Sequence, residues 1–231
     1  MFNSKYSKTL TVILIIVIIA IVGLLIFFGI EVYRKYYIEE AATDAVEEFK
    51  NQVTSQPPIG NTQENVILND VAPNVDLNTL YQDSTDSNSS GSGVTYMGYN
   101  VIGTIEIPAT DIEYPIIADE DASINSLSVA IVKIYPSADS LNQVGNTVLA
   151  GHNYRNGTFF SNNKRLENGD KIYITDLSGQ TVEYEVYRKY EASTSDSEYM
   201  NRDTNGKREI SLTTCTDDAD KRLIIWAKEV E

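Results

Sequence analysis

Residues 10–30, LTVILIIVIIAIVGLLIFFGI, form a run of 21 residues without a charge. At about 1.5 Å of rise per residue, a helix of that length reaches roughly 30 Å, the thickness of a bilayer's hydrocarbon core. A buried core helix would need a polar stripe. A signal-peptide apolar region is usually about 7–15 residues long, with a small-residue cleavage site directly after it. Glu31-Val32-Tyr33-Arg34 follows instead, so the run predicts a retained transmembrane helix. Lys5 and Lys8 before it and Arg34 and Lys35 after it tie on the positive-inside count. The short tail, 1–9, and the large body that follows then put the N-terminus in the cytoplasm and the body outside a cell membrane crossed once.

The rest of the chain is acidic. Only Lys5 and Lys8 of the 18 Lys and Arg, and none of the 33 Asp and Glu, fall before residue 31. A body carrying that excess repels phosphate backbones, which argues against nucleic-acid binding, and it draws nothing from anionic lipid. One Cys excludes an intramolecular disulfide framework, and Cys215 with the lone His152 cannot fill a structural zinc site. Residues 31–50 read as a juxtamembrane helical stem, free of breakers. Over 51–93 the composition turns to Asn, Gln, Asp, Ser and Pro and lacks the apolar residues to build a core, which predicts a flexible polar linker.

From residue 94 to 231 the apolar period becomes that of strands. Segments 101–107, 112–117, 129–134, 146–150, 171–175, 182–190, 209–214 and 222–228 are short, rich in β-branched and aromatic residues, and separated by Gly, Pro, Asn or Asp turn signals. Eight strands with one helix-like interruption at 158–166 predict a mostly β domain. A closed barrel removes the edges of so many strands.

His152 and Cys215 both end predicted strands, and Arg222 opens the last one. Thiol, imidazole and guanidinium together make an acyl-transfer set: a nucleophile, a proton carrier and a cation for the developing oxyanion. By residue type alone, a lone Cys is more often a small buried hydrophobe and a lone His a structural residue. Strand ends, however, place side chains at a barrel rim, and an exposed thiol outside the cell is an oxidation liability that a structural role does not require.

These residues resemble a family. Ser211-Leu-Thr-Thr-Cys215 resembles the Thr-Leu-x-Thr-Cys signature of sortases, the membrane-anchored cysteine transpeptidases of Gram-positive bacteria. Gly145-Asn-Thr-Val-Leu-Ala-Gly-His152-Asn resembles the stretch that delivers their His. Arg222-Leu-Ile-Ile resembles their Arg-bearing last strand, and Ile102-Gly-Thr-Ile-Glu-Ile-Pro108 their opening strand. The resemblance covers about residues 99–230. It implies an eight-stranded sortase-type β-barrel with one or two short helices, preceded by a transmembrane helix and a linker. It implies Cys215 as nucleophile, His152 as general acid/base, Arg222 holding the substrate carbonyl or oxyanion, and Thr214 as a substrate contact. The implied reaction cuts a Leu-Pro-x-Thr-Gly-like sorting signal after Thr through a thioacyl-enzyme. The acyl group then passes to an amine of peptidoglycan or of its lipid-linked precursor. Ser211 stands where Thr is usual, and the six-residue link 216–221 is short for a housekeeping member. No second membrane helix follows Trp226 and no Asp-Pro-aromatic motif occurs in the linker, which argues against the pilin-polymerising branch.

No cofactor or metal is expected. Asp217, Asp218 and Asp220, or Asp119-Glu-Asp121, could offer oxygens to calcium, but the Gly and terminal Glu of a calcium loop are missing, and solvated acidic turns are the simpler reading. Two other functions compete. A membrane-tethered wall-binding or adhesion module would leave Cys215 and His152 incidental. A cysteine transpeptidase acting on peptidoglycan cross-links would show Ser-x-Gly-Cys before an immediate Arg, where this chain has Thr-Thr-Cys-Thr.

Overall fold

The computed structural model describes residues 4–55, 92–136 and 140–230; most of the expected linker, 56–91, lies outside them. The strands are β1 (Thr95–Tyr96), β2 (Tyr99–Ile107), β3 (Ile112–Ile117), β4 (Ile131–Tyr135), β5 (Gly145–Ala150), β6 (Lys171–Asp176), β7 (Thr181–Ser193), β8 (Arg208–Cys215) and β9 (Lys221–Glu229). Their order across the sheet is β1-β2-β3-β4-β5-β8-β9-β7-β6, and β6 pairs back onto β2. Strands β2 to β9 therefore close into an eight-stranded barrel, as expected, while β1 is a two-residue strand folded back on β2. All eight segments read as strands form strands. The pairs β3–β4 and β5–β8 are parallel.

Alternation fills the interior. Ile172 and Ile174 on β6 and Val182, Tyr184 and Val186 on β7 are buried at every second position, as a pleated strand with one inward face requires. Closure depends on one glycine. The register of β2 against β3 slips between Val101 and Gly103. A Cβ on Gly103 would lie 2.4 Å from both a Leu141 methyl and the Thr175 carbonyl oxygen on β6. Only a residue without a side chain lets β2 approach β6 that closely.

The helix-like segment expected over 158–166 is instead a series of turns ending in a single 3-10 turn, Asn163–Arg165. Phe159 sits at φ 48°, a conformation that a right-handed helix cannot hold, and Phe159 and the adjacent Phe160 are both completely buried. A short helix that the sequence did not announce, α2 (Ile124–Leu127), precedes β4 and is capped by Ser123.

Helix α1 (Ser4–Ser55) runs unbroken for 52 residues. Over its apolar stretch the mean hydropathy reaches 3.5 with nothing buried, so it is long and apolar enough to cross a membrane. The second half is different. Ile38, Ala42, Ala45, Val46 and Phe49 are buried; their spacing of about three to four residues makes one stripe, and the helix packs on β1, β2 and β3. Phe49 belongs to the main core, Lys50 pairs with Glu113 on β3, and the Tyr96 hydroxyl points to the Ile38 carbonyl at 3.5 Å. The expected stem at 31–50 is thus helical and docked. It continues five residues into the segment read as linker. At the linker's far end Ser92 is already tied to the barrel, donating its N–H (3.2 Å) and hydroxyl (2.8 Å) to the Val101 carbonyl.

Candidate active site

Strand register brings the three candidate residues to one rim. Cys215 is the last residue of β8 and lies directly opposite Arg222 on β9. The link between them is tight: Thr216 donates its N–H to Lys221 (3.0 Å), Ala219 donates to Thr216 (2.9 Å), and Ala219 turns the chain at φ 62°. Across this hairpin an Arg222 Nη1 donates to Cys215 Sγ at 2.7 Å. Strand β5 runs parallel on the other side of β8, with Ala150 opposite Thr213. The Gly151 N–H extends that ladder to the Thr213 carbonyl (3.2 Å). The next residue, His152, therefore emerges beside the end of β8. Gly151 has its own constraint, since a Cβ there would press on the Phe160 ring at 2.9 Å.

His152, Cys215, Arg222 and Thr214 line one cleft together with Leu127, Ile134 and Tyr199. Thr213, which the sequence did not single out, lines it too. The hydroxyls of Thr213 and Thr214 are both buried, with no hydrogen-bond partner among the described residues. A second cleft opens on the other side of Cys215, between Asn153, Phe160, Lys164, Glu191 and Asp217. The thiol thus sits where two clefts meet.

Burial holds the His152 pKa below its ordinary value, and the neighbouring Arg222 guanidinium adds to that depression. The imidazole is therefore kept neutral near pH 7, the state in which it can take a proton from a thiol. Among the described residues no hydrogen bond joins it to the thiol. Such contacts are often loose without substrate and tighten on binding. Asn153 fixes the turn from below, donating to the Cys215 carbonyl (3.0 Å) and to Asp217 (2.9 Å).

The nearby acidic groups are engaged locally. Asp217 accepts from Lys164 at 2.6 Å and Asp218 from the Thr216 hydroxyl at 2.5 Å. Asp121 accepts the Asn100 N–H at 3.1 Å. Among the described residues no three His, Cys, Asp or Glu side chains converge to hold a metal.

The other basic residues near β8 and β9 have different work. Lys221 pairs with Glu191 at 2.8 Å, outside the cleft that holds His152, as strand alternation predicts for the neighbour of Arg222. Arg202 ion-pairs with Glu209 in a nearly buried setting, donates to Asn146 (3.0 Å) and lies over the Trp226 ring. Ser211 donates to Asn146 at 2.8 Å, so this position of the motif serves packing.

Residues 105–230 match the sortase domain family model, more than half of the chain. The chain is 35% identical to sortase A of Bacillus anthracis over 131 residues, 54% of this chain and 58% of that protein; the match thus spans less than two thirds of that relative's length. Among solved structures, a lid mutant of sortase A from Corynebacterium diphtheriae superposes with a TM-score of 0.51 at 28% identity, over 58% of this chain and 72% of that one. A Clostridium perfringens sortase D5 transpeptidase gives 0.58 at 22% identity, over 83% of this chain and 99% of that one, a likeness of fold. Eight strands closed in this order and a family match running from β2 to the end of β9 lead to one assignment: the chain belongs to the sortase family.

Proposed function

We propose that this protein is a cysteine transpeptidase of the cell surface, with Cys215 as nucleophile, His152 as general acid/base and Arg222 as oxyanion donor. The observation that carries the reading is the convergence of thiol, imidazole and guanidinium in one cleft, with Arg222 Nη1 2.7 Å from Sγ. The Cys215 thiol gives its proton to neutral His152 as sulfur bonds to the scissile carbonyl carbon. Arg222 donates to the carbonyl oxygen while charge builds there. The carbon–nitrogen bond then breaks, and imidazolium returns the proton to the departing amine, leaving a thioester on Cys215. An acceptor amine attacks that thioester, gives its proton to His152, and displaces the sulfur as a thiolate, which takes that proton back from the imidazolium.

The substrates are surface proteins bearing a C-terminal Leu-Pro-x-Thr-Gly-like sorting signal, and the acceptor is an amine of peptidoglycan or its lipid-linked precursor. Thr214, whose buried hydroxyl has no partner among the described residues, contacts the signal peptide. Residues 10–30 cross the membrane once with the barrel outside, and no cofactor takes part. The test is product partitioning: the full chain in detergent is given a sorting-signal peptide with and without a glycine-based amine. A transpeptidase yields the amine-capped acyl fragment in proportion to amine concentration. A wall-binding module yields neither cut nor capped peptide.

A further inference from the structure

Nothing polar orients His152: among the described residues neither imidazole nitrogen has a hydrogen-bond partner from the protein. Acid/base histidines are ordinarily oriented by a third group, and here an aromatic ring occupies that place. Tyr154 stacks on His152 with ring centroids 4.9 Å apart and planes 26° from parallel. Tyr154 is itself held at several points. Its N–H donates to the Ser161 hydroxyl (3.1 Å), its hydroxyl donates to the Ser128 carbonyl (2.9 Å), and Phe159 packs beside it.

The far side of Tyr154 meets α1 just past the apolar run. Arg34, Lys35 and Ile38 share a crevice with Tyr154 and Asn156, and Lys35 Nζ donates to the Asn156 carbonyl at 2.9 Å. From residue 30 to residue 35 the helix rises only about 7.5 Å. The loop that begins with His152 is therefore clamped to α1 within one or two turns of the membrane-spanning stretch.

We infer that Tyr154 is the positioning residue for His152, stacked on the imidazole and held in place by the membrane-proximal turn of α1. The mechanistic use of this rests on the acid/base role proposed for His152; the placement itself does not. The ring shields one face of the imidazole from water. Of the charged and titratable groups around His152, Arg222 from β9 acts on it directly, Cys215 from β8 and Tyr199 from the β7–β8 connection share its cleft, Tyr154 stacks on it, and Arg34 of α1 acts on Tyr154 from behind.

His152 is the only histidine in the chain, so its ring proton can be titrated by NMR without assignment in the full chain held in lipid nanodiscs. The Tyr154→Ala variant should move the His152 pKa upward toward its ordinary 6.5 as the ring gains water. Tyr154→Phe should leave it where it is, and Lys35→Ala should give a smaller upward move. Tyr154→Leu, which keeps apolar bulk without a ring, guards against loss of fold and should move the pKa upward by less than Tyr154→Ala does. In turnover, Tyr154→Ala should lower kcat by roughly 10–100-fold with little change in KM, as expected for a misplaced reacting group. An unmoved His152 titration in both the Ala and the Leu variants would overturn the inference. A moved titration with unchanged turnover would support the inference and count instead against His152 as the acid/base.

Discussion

The two ends of strand β8 treat polar groups in opposite ways. At its start, Arg208, Glu209 and Ser211 are all engaged: Arg208 with Glu229 (2.8 Å), Glu209 with Arg202 and with the Tyr187 hydroxyl (2.6 Å), Ser211 with Asn146 (2.8 Å). At its finish, Thr213 and Thr214 bury hydroxyls with no hydrogen-bond partner among the described residues, and Cys215 ends the strand as a thiol outside any disulfide. Buried polar groups are normally paired because an unpaired one costs about 1–3 kcal/mol. One strand thus carries a satisfied half that holds the barrel together and an unsatisfied half facing the cleft. Stability and chemistry are segregated along eight residues.

That division can be broken experimentally. The largest effect on stability is expected from Arg202→Ala. It leaves Glu209 as an uncompensated, nearly buried charge and should cost about 3–5 kcal/mol in chemical denaturation, while folded molecules keep the wild-type kcat. Next comes Arg222→Ala, expected to lose about 10²–10³ in kcat with the denaturation midpoint nearly unchanged; Lys at the same position should rescue only in part, since it lacks the planar fork. If Arg202→Ala slows the folded enzyme as much as Arg222→Ala does, the two ends are not separate. The smallest effect belongs to Lys221→Ala, whose pair with Glu191 is exposed and screened by solvent. It should be near neutral in both assays.

The pH profile sharpens the same contrast. In the proposed mechanism His152 must be neutral to accept the thiol proton, and its folded pKa lies below 6.5 through burial and, secondarily, Arg222. Activity should therefore survive acidification past 6.5 and fall only as pH drops through the lowered value. In Arg222→Ala the acid limb of kcat/KM should move part of the way back up toward 6.5. An acid limb that moves downward in that variant would contradict the electrostatic assignment.

Much of this was legible in the residues. Strand ends alone placed His152, Cys215 and Arg222 at a rim, because the 2-residue period of a strand and a short link leave little freedom in where its last side chain falls. The β5–β8 pairing that sets His152 beside Cys215 was not readable, since parallel register depends on distant chain. The docking of α1 was also hidden. Two of the five residues in its buried stripe are alanine, and exposed Tyr36 and Tyr37 flank it, so the amphipathic signal is faint. The loop after β5 misled for a different reason: its residues suit a helix, but two adjacent phenylalanines are both drawn into the core, and Phe159 leaves the helical region. Tyr154 carried no signal at all, being one of 15 tyrosines.

The docked helix has a consequence for how the barrel can be isolated. Phe49 is fully buried in the core, so Phe49→Ala should cost about 3–5 kcal/mol, read as a lowered denaturation midpoint. A barrel expressed from residue 94 onward should be less stable than the full chain, exposing the surface that 38–49 cover. Equal stability of the two would show that α1 packs without consequence.

The most direct measurement is the intact mass of the protein after brief exposure to a sorting-signal peptide without an acceptor amine. The account predicts an adduct equal to the peptide's N-terminal acyl fragment, removable by hydroxylamine, mapped to Cys215 and missing from Cys215→Ala. Cleavage of the peptide by Cys215→Ala at the wild-type rate, or an adduct on any other residue, would contradict it.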